Sequence, residues 1–237
     1  MQTAAETRAL RLIRAAGAVV LVLFVLGTLL GPRAPVTTNV RGFVNPVVGM
    51  ELAAEPRDVF GLVGQPDSPA RPDAVRAMRL ATWLDYPFLV AYTALYLGIA
   101  LLLSARQTLS GRFIVVLFAV PLVVALADAL ENRQILLLTT LTEPHAMEAV
   151  IDRLRLFTVM KWYGLYAVSG LVAVLVWRDP SGWRWSAPFF GTTTVLGSVA
   201  LAILPAIEWS MLPLGVAWTI TWIHALRASR DGVLAEL

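Results

Sequence analysis

The chain of 237 residues has no cysteine, which excludes disulfides, thiolate metal ligands and a cysteine nucleophile. Its two histidines, His145 and His224, are too few for a three-histidine zinc site within one chain. Charge is also scarce. Only 15% of residues are charged, and a formal net charge of +3 is too small and too dispersed for a nucleic-acid surface, so no nucleic-acid partner is expected. Lysine is almost missing: of 19 basic residues, Lys161 is the only one, and it heads an apolar run that continues to Trp177.

Hydrophobicity is what the chain has in excess. Apolar residues make up 58% of it, and the mean hydropathy is +0.71. Several runs approach or exceed the roughly 18–20 residues needed to cross a bilayer core about 30 Å thick. The pattern predicts an all-α polytopic membrane bundle, a single membrane domain over residues 1–237. Six transmembrane helices are expected at about 13–31, 84–105, 112–138, 156–177, 187–207 and 210–226. The first run follows Arg8, Arg11 and Arg14 as a signal peptide would, but GPRAPV supplies no small-residue cleavage site, so the run reads as an uncleaved span.

Two connecting segments read as lying outside the membrane. Residues 32–82 form an extracytoplasmic loop rich in proline, glycine and charge. Its stretch SPARPDAVRAMRLATW carries helix-start signals at Ser68, Pro72 and Asp73, predicting a short interfacial helix. TEPHAMEAVIDRLR, between the third and fourth spans, also reads as helical. With the N-terminus inside, the inner segments hold nine arginines against Glu6, Asp179, Asp231 and Glu236. The arginine-over-lysine bias points to a GC-rich bacterial genome, and the charge imbalance predicts an inner-membrane protein with both termini cytoplasmic. Trp83, Trp162 and Trp209 fall at the outer ends of spans, and Trp177, Trp183, Trp185 and Trp222 at the inner ends, as interfacial belts do.

Within the spans the ionisable groups gather at one depth. Asp128 stands 16 residues beyond Arg112, roughly 24 Å up the third span, and Lys161 stands 17 residues before Arg178, roughly 25 Å up the fourth. Asp85 and Glu208 reach the same outer level on two further spans. Asp128, Glu131 and Asn132 occupy positions i, i+3 and i+4 and share one helix face. Asp85, Tyr92 and Tyr96 also align, predicting a polar stripe that runs from Asp85 toward the membrane middle. Gly164, one turn after Lys161, is small enough to admit a neighbouring helix.

A charge at a helix centre costs roughly 2.5–3.5 kcal/mol on insertion scales, so such groups face the bundle and pair, or line a wet cavity. Lys161 is therefore expected to meet Asp128 or Glu131. Plainer roles fit the same residues. Asp85 also reads as the N-cap of the second span, Glu208 as part of a solvated hairpin turn, and Lys161 as a snorkelling headgroup contact. The acidic triad also reads as a structural ion-pair network.

D-x-x-E-N is not a metal signature, and a nearby lysine competes with a hard cation, so neither a metal nor a cofactor is expected. Ser169 lies near a tyrosine but has no histidine at its depth, which leaves no nucleophilic serine motif. No charged residue stands in the inner half of a span except at its end, so a complete ion relay is missing.

ELA at Glu51–Ala53, LDYPFLVAYTALYL at Leu84–Leu97, ADALEN at Ala127–Asn132 and KW at Lys161–Trp162 occur in an order that resembles a family of uncharacterised bacterial multipass membrane proteins. In that family an E-L-A-like outer segment leads to L-D-x-x-F and then A-D-x-x-E-N. The likeness covers Glu51 to Trp162, under half of the chain; Pro87 departs from the pattern. It implies no activity, but it adds Glu51 to the candidate residues, as a loop group lidding the outer end of the bundle.

The candidate ligand-binding residues are therefore Asp85, Tyr92, Tyr96, Asp128, Glu131, Asn132, Lys161 and Glu51. They define an expected polar pocket near the outer leaflet, taking a membrane lipid or isoprenoid-type amphiphile. One alternative is a membrane enzyme using Asp128 or Glu131 as general acid or base on such a lipid. Another is a structural or assembly subunit whose partner is a membrane protein or a second copy of the chain.

Overall fold

A computed structural model describes residues 3–37, 42–107, 109–179 and 182–234. The described residues form α1 (Ala4–Leu30), α2 (Pro46–Glu51), α3 (Pro56–Val63), α4 (Arg71–Arg106), α5 (Gly111–Leu138), α6 (Pro144–Trp177), α7 (Ala187–Val199) and α8 (Ala206–Leu234). A 3-10 turn, Gly182–Ser186, precedes α7, and no strand occurs among the described residues. Four helices, α1, α4, α5 and α6, are long and apolar enough to cross a membrane. The chain is a helical membrane protein. Glu236, one of the inner acids in the charge count, lies outside the described residues.

Several boundaries differ from those expected. The interfacial helix and the second span are one helix of 36 residues, α4, which extends roughly 54 Å. Asp85 is consequently a mid-helix residue and not an N-cap. Pro87 sits inside α4 without ending it, although its ring removes one ladder hydrogen bond. The helix expected in TEPHAMEAVIDRLR is likewise continuous with the fourth span, in the 34-residue α6. The run expected at about 187–207 is helical only to Val199 and closes through turns. Pro205, with no N–H to donate, disfavours helix at Leu204 just before α8 begins at Ala206.

The chain divides into two compact units, and the division falls within α1, α4, α5 and α6. One unit comprises Leu23–Leu89 and Ala125–Trp162. Its α2 and α3 are short helices with strong local signals. Asn45 caps α2 through its side chain, which accepts from Val47 N at 2.9 Å, and Pro46 opens the helix. Pro56 opens α3, and Gly64, at φ +87°, closes it in a conformation that side chains with a Cβ rarely adopt. Met50, Val59, Phe60, Leu62 and Val63 from this pair join Met78 of α4, Ile135 and Leu138 of α5, and Met147, Ile151 and Leu154 of α6 in one buried cluster.

Arg71 pins that cluster together. Its guanidinium donates to Gly64 O at 2.6 Å and Leu141 O at 2.8 Å, and it lies over the Phe60 ring at 5.8 Å. Both carbonyls follow helix C-termini, where unpaired oxygens and the helix dipole favour a cation.

The other unit comprises Met1–Val22, Val90–Val124 and Tyr163–Leu237. Small residues let its helices approach. A Cβ on Gly164 would lie 2.6 Å from Val124 Cγ2, and one on Gly197 would overlap the Tyr166 ring. The close neighbour expected at Gly164 is therefore α5. Arg106, the last residue of α4, holds Glu6 at 3.0 Å and Asp179 at 3.4 Å. Trp183 is fully buried and stacks on His224, with ring centroids 5.8 Å apart, and so does not belong to an interfacial belt.

Candidate functional site

Glu51, Asp85, Asp128, Glu131, Asn132 and Lys161 all fall in the unit formed by Leu23–Leu89 and Ala125–Trp162. Two helix faces build the candidate site with the same spacing. On α5, Asp128, Glu131 and Asn132 stand at i, i+3 and i+4; on α6, Thr158, Lys161 and Trp162 repeat that pattern. Glu51, the last residue of α2, supplies the third element.

The Lys161 ammonium is the hub. It contacts Glu51 Oε1 at 2.9 Å, Asp128 Oδ1 at 3.3 Å and Glu131 Oε2. An ammonium has three donors, and three carboxylates from α2 and α5 surround this one. Trp162 donates from Nε1 to Glu51 Oε2 at 2.9 Å, so both Glu51 oxygens are engaged. The Thr158 hydroxyl donates to the Glu51 carbonyl at 2.9 Å and also meets Glu131 Oε1. That carbonyl ends a helix and has no i+4 partner of its own, which is why a side chain from α6 can hold it. Glu131 is fully buried, and Glu51, Asp128, Asn132, Thr158, Lys161 and Trp162 are buried around it.

Asp85 extends the network toward the surface. Asn132 Nδ2 donates to Asp85 Oδ2 at 2.7 Å, and Asp85 itself is only half-buried. Beside it on α4 are Tyr86, whose hydroxyl approaches Ala129 O at 3.5 Å, and the exposed Trp83, whose ring centroid is 5.4 Å from that of Tyr86.

Of the residues singled out in the sequence, Glu51, Asp128, Glu131 and Lys161 meet directly, and Asn132 links Asp85 to them. Tyr92 and Tyr96 belong to the other unit. Tyr92 stacks on Trp218 with centroids 6.1 Å apart, and Tyr96 shares a hydrogen bond of 2.7 Å with Ser169. Trp162 is buried at the cluster instead of lying in an interfacial belt. Thr158 had no role in the sequence; its signal was its place one turn before Lys161, matching Asp128 before Glu131. Lys161, with only 7% of its surface exposed, does not snorkel.

Taking these charges out of water costs several kcal/mol per ion, and the mutual attraction offsets that only with every donor and acceptor engaged. The arrangement meets this condition at Lys161 and Glu51. Among the described residues, no group of three or more histidine, aspartate or glutamate side chains has a geometry that could hold a metal ion. His145 is exposed beside Glu148 at 3.4 Å. Comparisons with protein-family models, curated proteins and solved structures give no match for this chain.

Proposed function

We propose that this chain is a six-span protein of a bacterial inner membrane, with cytoplasmic termini, whose outer end binds an amphiphilic lipid or isoprenoid-type ligand at the open edge of the carboxylate cluster. Support for two further crossings comes from α8, whose 29 residues extend roughly 44 Å. Trp209, Trp218, Trp222 and Pro213 lower its apolar character without shortening it. The 13-residue α7 continues into turns with exposed Leu201 and Ile203, as a crossing completed by a non-helical end would. The orientation rests on the arginine imbalance.

The observation that carries the ligand reading is Asp85. It alone among the linked acidic groups is half-buried, and exposed Trp83 and half-buried Tyr86 flank it. A carboxylate beside aromatic faces accepts an ammonium or a headgroup N–H or O–H donor. Kinship with the multipass family quoted above is favoured by one fact: its four motifs supply the members of a single cluster. Purifying Asp85→Asn in mild detergent and comparing bound lipids by mass spectrometry tests the proposal. One species should be lost while the helical content stays unchanged; an identical lipid profile would refute the reading.

A scaffold role is the second reading, favoured by the closure of the network around Glu131, both of whose oxygens are engaged. A stoichiometric membrane-protein partner, recovered with no bound lipid, would select it. The same closure gives no support to acid or base chemistry at Asp128 or Glu131.

A further inference from the structure

We infer that Arg33, Arg79, Arg133 and Arg155 form a ring that grips the phosphates of anionic phospholipids around the unit built from Leu23–Leu89 and Ala125–Trp162. This deepens the proposed function by naming the headgroup chemistry at that end of the protein.

Each of four segments in this unit sets an exposed arginine close to exposed apolar side chains. α1 ends on exposed Leu29 and Leu30, and Arg33 follows. α4 exposes Arg79, then Leu80 and Trp83. α5 exposes Leu126 and, seven residues along the same face, Arg133, with exposed Leu137 one turn further on. α6 exposes Arg155, then Leu156 and Val159.

The cluster contacts set the register between three of these helices. Asp85 bonds Asn132, and Lys161 meets Asp128 and Glu131. Arg79 lies six residues beyond Asp85 and Arg155 six beyond Lys161, about 9 Å along each helix. Arg133 starts nearer the cluster, one residue past Asn132, and its stem is long enough to reach the level of the others. The exposed acids Asp73, Glu148 and Asp152 stand farther from the apolar surface than these four arginines do, in a mixed outer layer that also holds Arg76 and Arg153. That order is the one a phosphate layer selects.

The four guanidinium groups are also uncommitted. Among the described residues, none of them has an ion-pair or hydrogen-bond partner. A planar guanidinium matches two phosphate oxygens at once, and a phospholipid surface presents phosphates at the depth where apolar side chains stop.

The test uses the full chain in detergent, with bound lipid followed by native mass spectrometry. The probes are phosphatidylglycerol and a galactosyl diacylglycerol of the same acyl chains, which lacks phosphate. Wild type should retain phosphatidylglycerol preferentially, and each single Arg→Gln change should weaken it about fivefold. The quadruple variant should bind the two lipids equally, and the single variants carry the test should the quadruple one fail to fold. A wild type without preference, or variants that keep it, would overturn the inference. So would displacement of phosphatidylglycerol by millimolar inorganic phosphate, which would mark a site for the free ion. Asp85→Asn separates the two proposals. Loss of its ligand beside intact phosphatidylglycerol binding in the arginine variants leaves the functional reading and removes the ring; the reverse result keeps the ring and removes the reading.

Discussion

The Lys161 ammonium on α6 lies 2.9 Å from the carboxylate of Glu51, the last residue of α2, while Trp162 holds the other oxygen of the same group at 2.9 Å. A six-residue helix outside the apolar runs is thereby tied to a long membrane-type helix by two adjacent side chains.

Replacing Lys161 with methionine leaves three buried carboxylates without their shared cation. Removing one partner from a buried ion pair costs about 3–5 kcal/mol, and a loss in this range is expected in equilibrium unfolding of the purified protein. A change below about 1 kcal/mol would mean that the ammonium does not hold the cluster.

Glu51 and Trp162 should be coupled energetically. Glu51→Gln, Trp162→Phe and the double variant form a thermodynamic cycle. Its interaction energy should be about 1.5–3 kcal/mol, as for hydrogen bonds to charged groups. Additive losses would place the indole elsewhere.

Arg71 serves two carbonyls, at Gly64 and Leu141, from a buried position. Arg71→Met should destabilise the protein by about 1–3 kcal/mol for each acceptor left unmet, and amide exchange should accelerate in α2 and α3. Arg71→Lys should recover only part, because a single ammonium lacks the fork that reaches both oxygens. Unchanged exchange in α2 and α3 would contradict the pinning role.

Gly164→Ala introduces a methyl group 2.6 Å from Val124 Cγ2. Overpacking of this kind costs about 1–3 kcal/mol, and adding Val124→Ala should restore most of it. A Gly164→Ala protein as stable as wild type would show that α5 and α6 are not in close contact there.

The absence of cysteine makes the topology directly measurable. Ser110→Cys and Glu143→Cys place single thiols at two exposed positions. An impermeant maleimide applied from the periplasmic side should label position 143 alone, and position 110 only after the membrane is opened. Labelling in the opposite order would invert the proposed orientation.

Much of the α5 face was legible because helical spacing is a local property. Asp128, Glu131 and Asn132 share one side of any helix that contains them, whatever packs against it. Lys161 announced itself by the cost of an ammonium in an apolar run. The tyrosines were legible only as an alignment: their spacing from Asp85 along α4 carries no information about partners, and the structure gives Tyr92 a stacked Trp218 and Tyr96 a hydrogen bond with Ser169. The tryptophan belts failed at Trp162 and Trp183, because an indole placed near a span's end is equally suited to a buried carboxylate or a stacked imidazole.

The amino-acid order alone determined that this is a helical membrane protein and which face of α5 is acidic, since hydropathy and periodicity act over a few turns of helix. Only tertiary structure decided that Glu51, which entered by resemblance alone, bonds Lys161 and Trp162, that Thr158 and Trp162 serve the site, and that three carboxylates share one ammonium. Those choices depend on where α2 comes to rest against α5 and α6, and burial, not local spacing, sets that position.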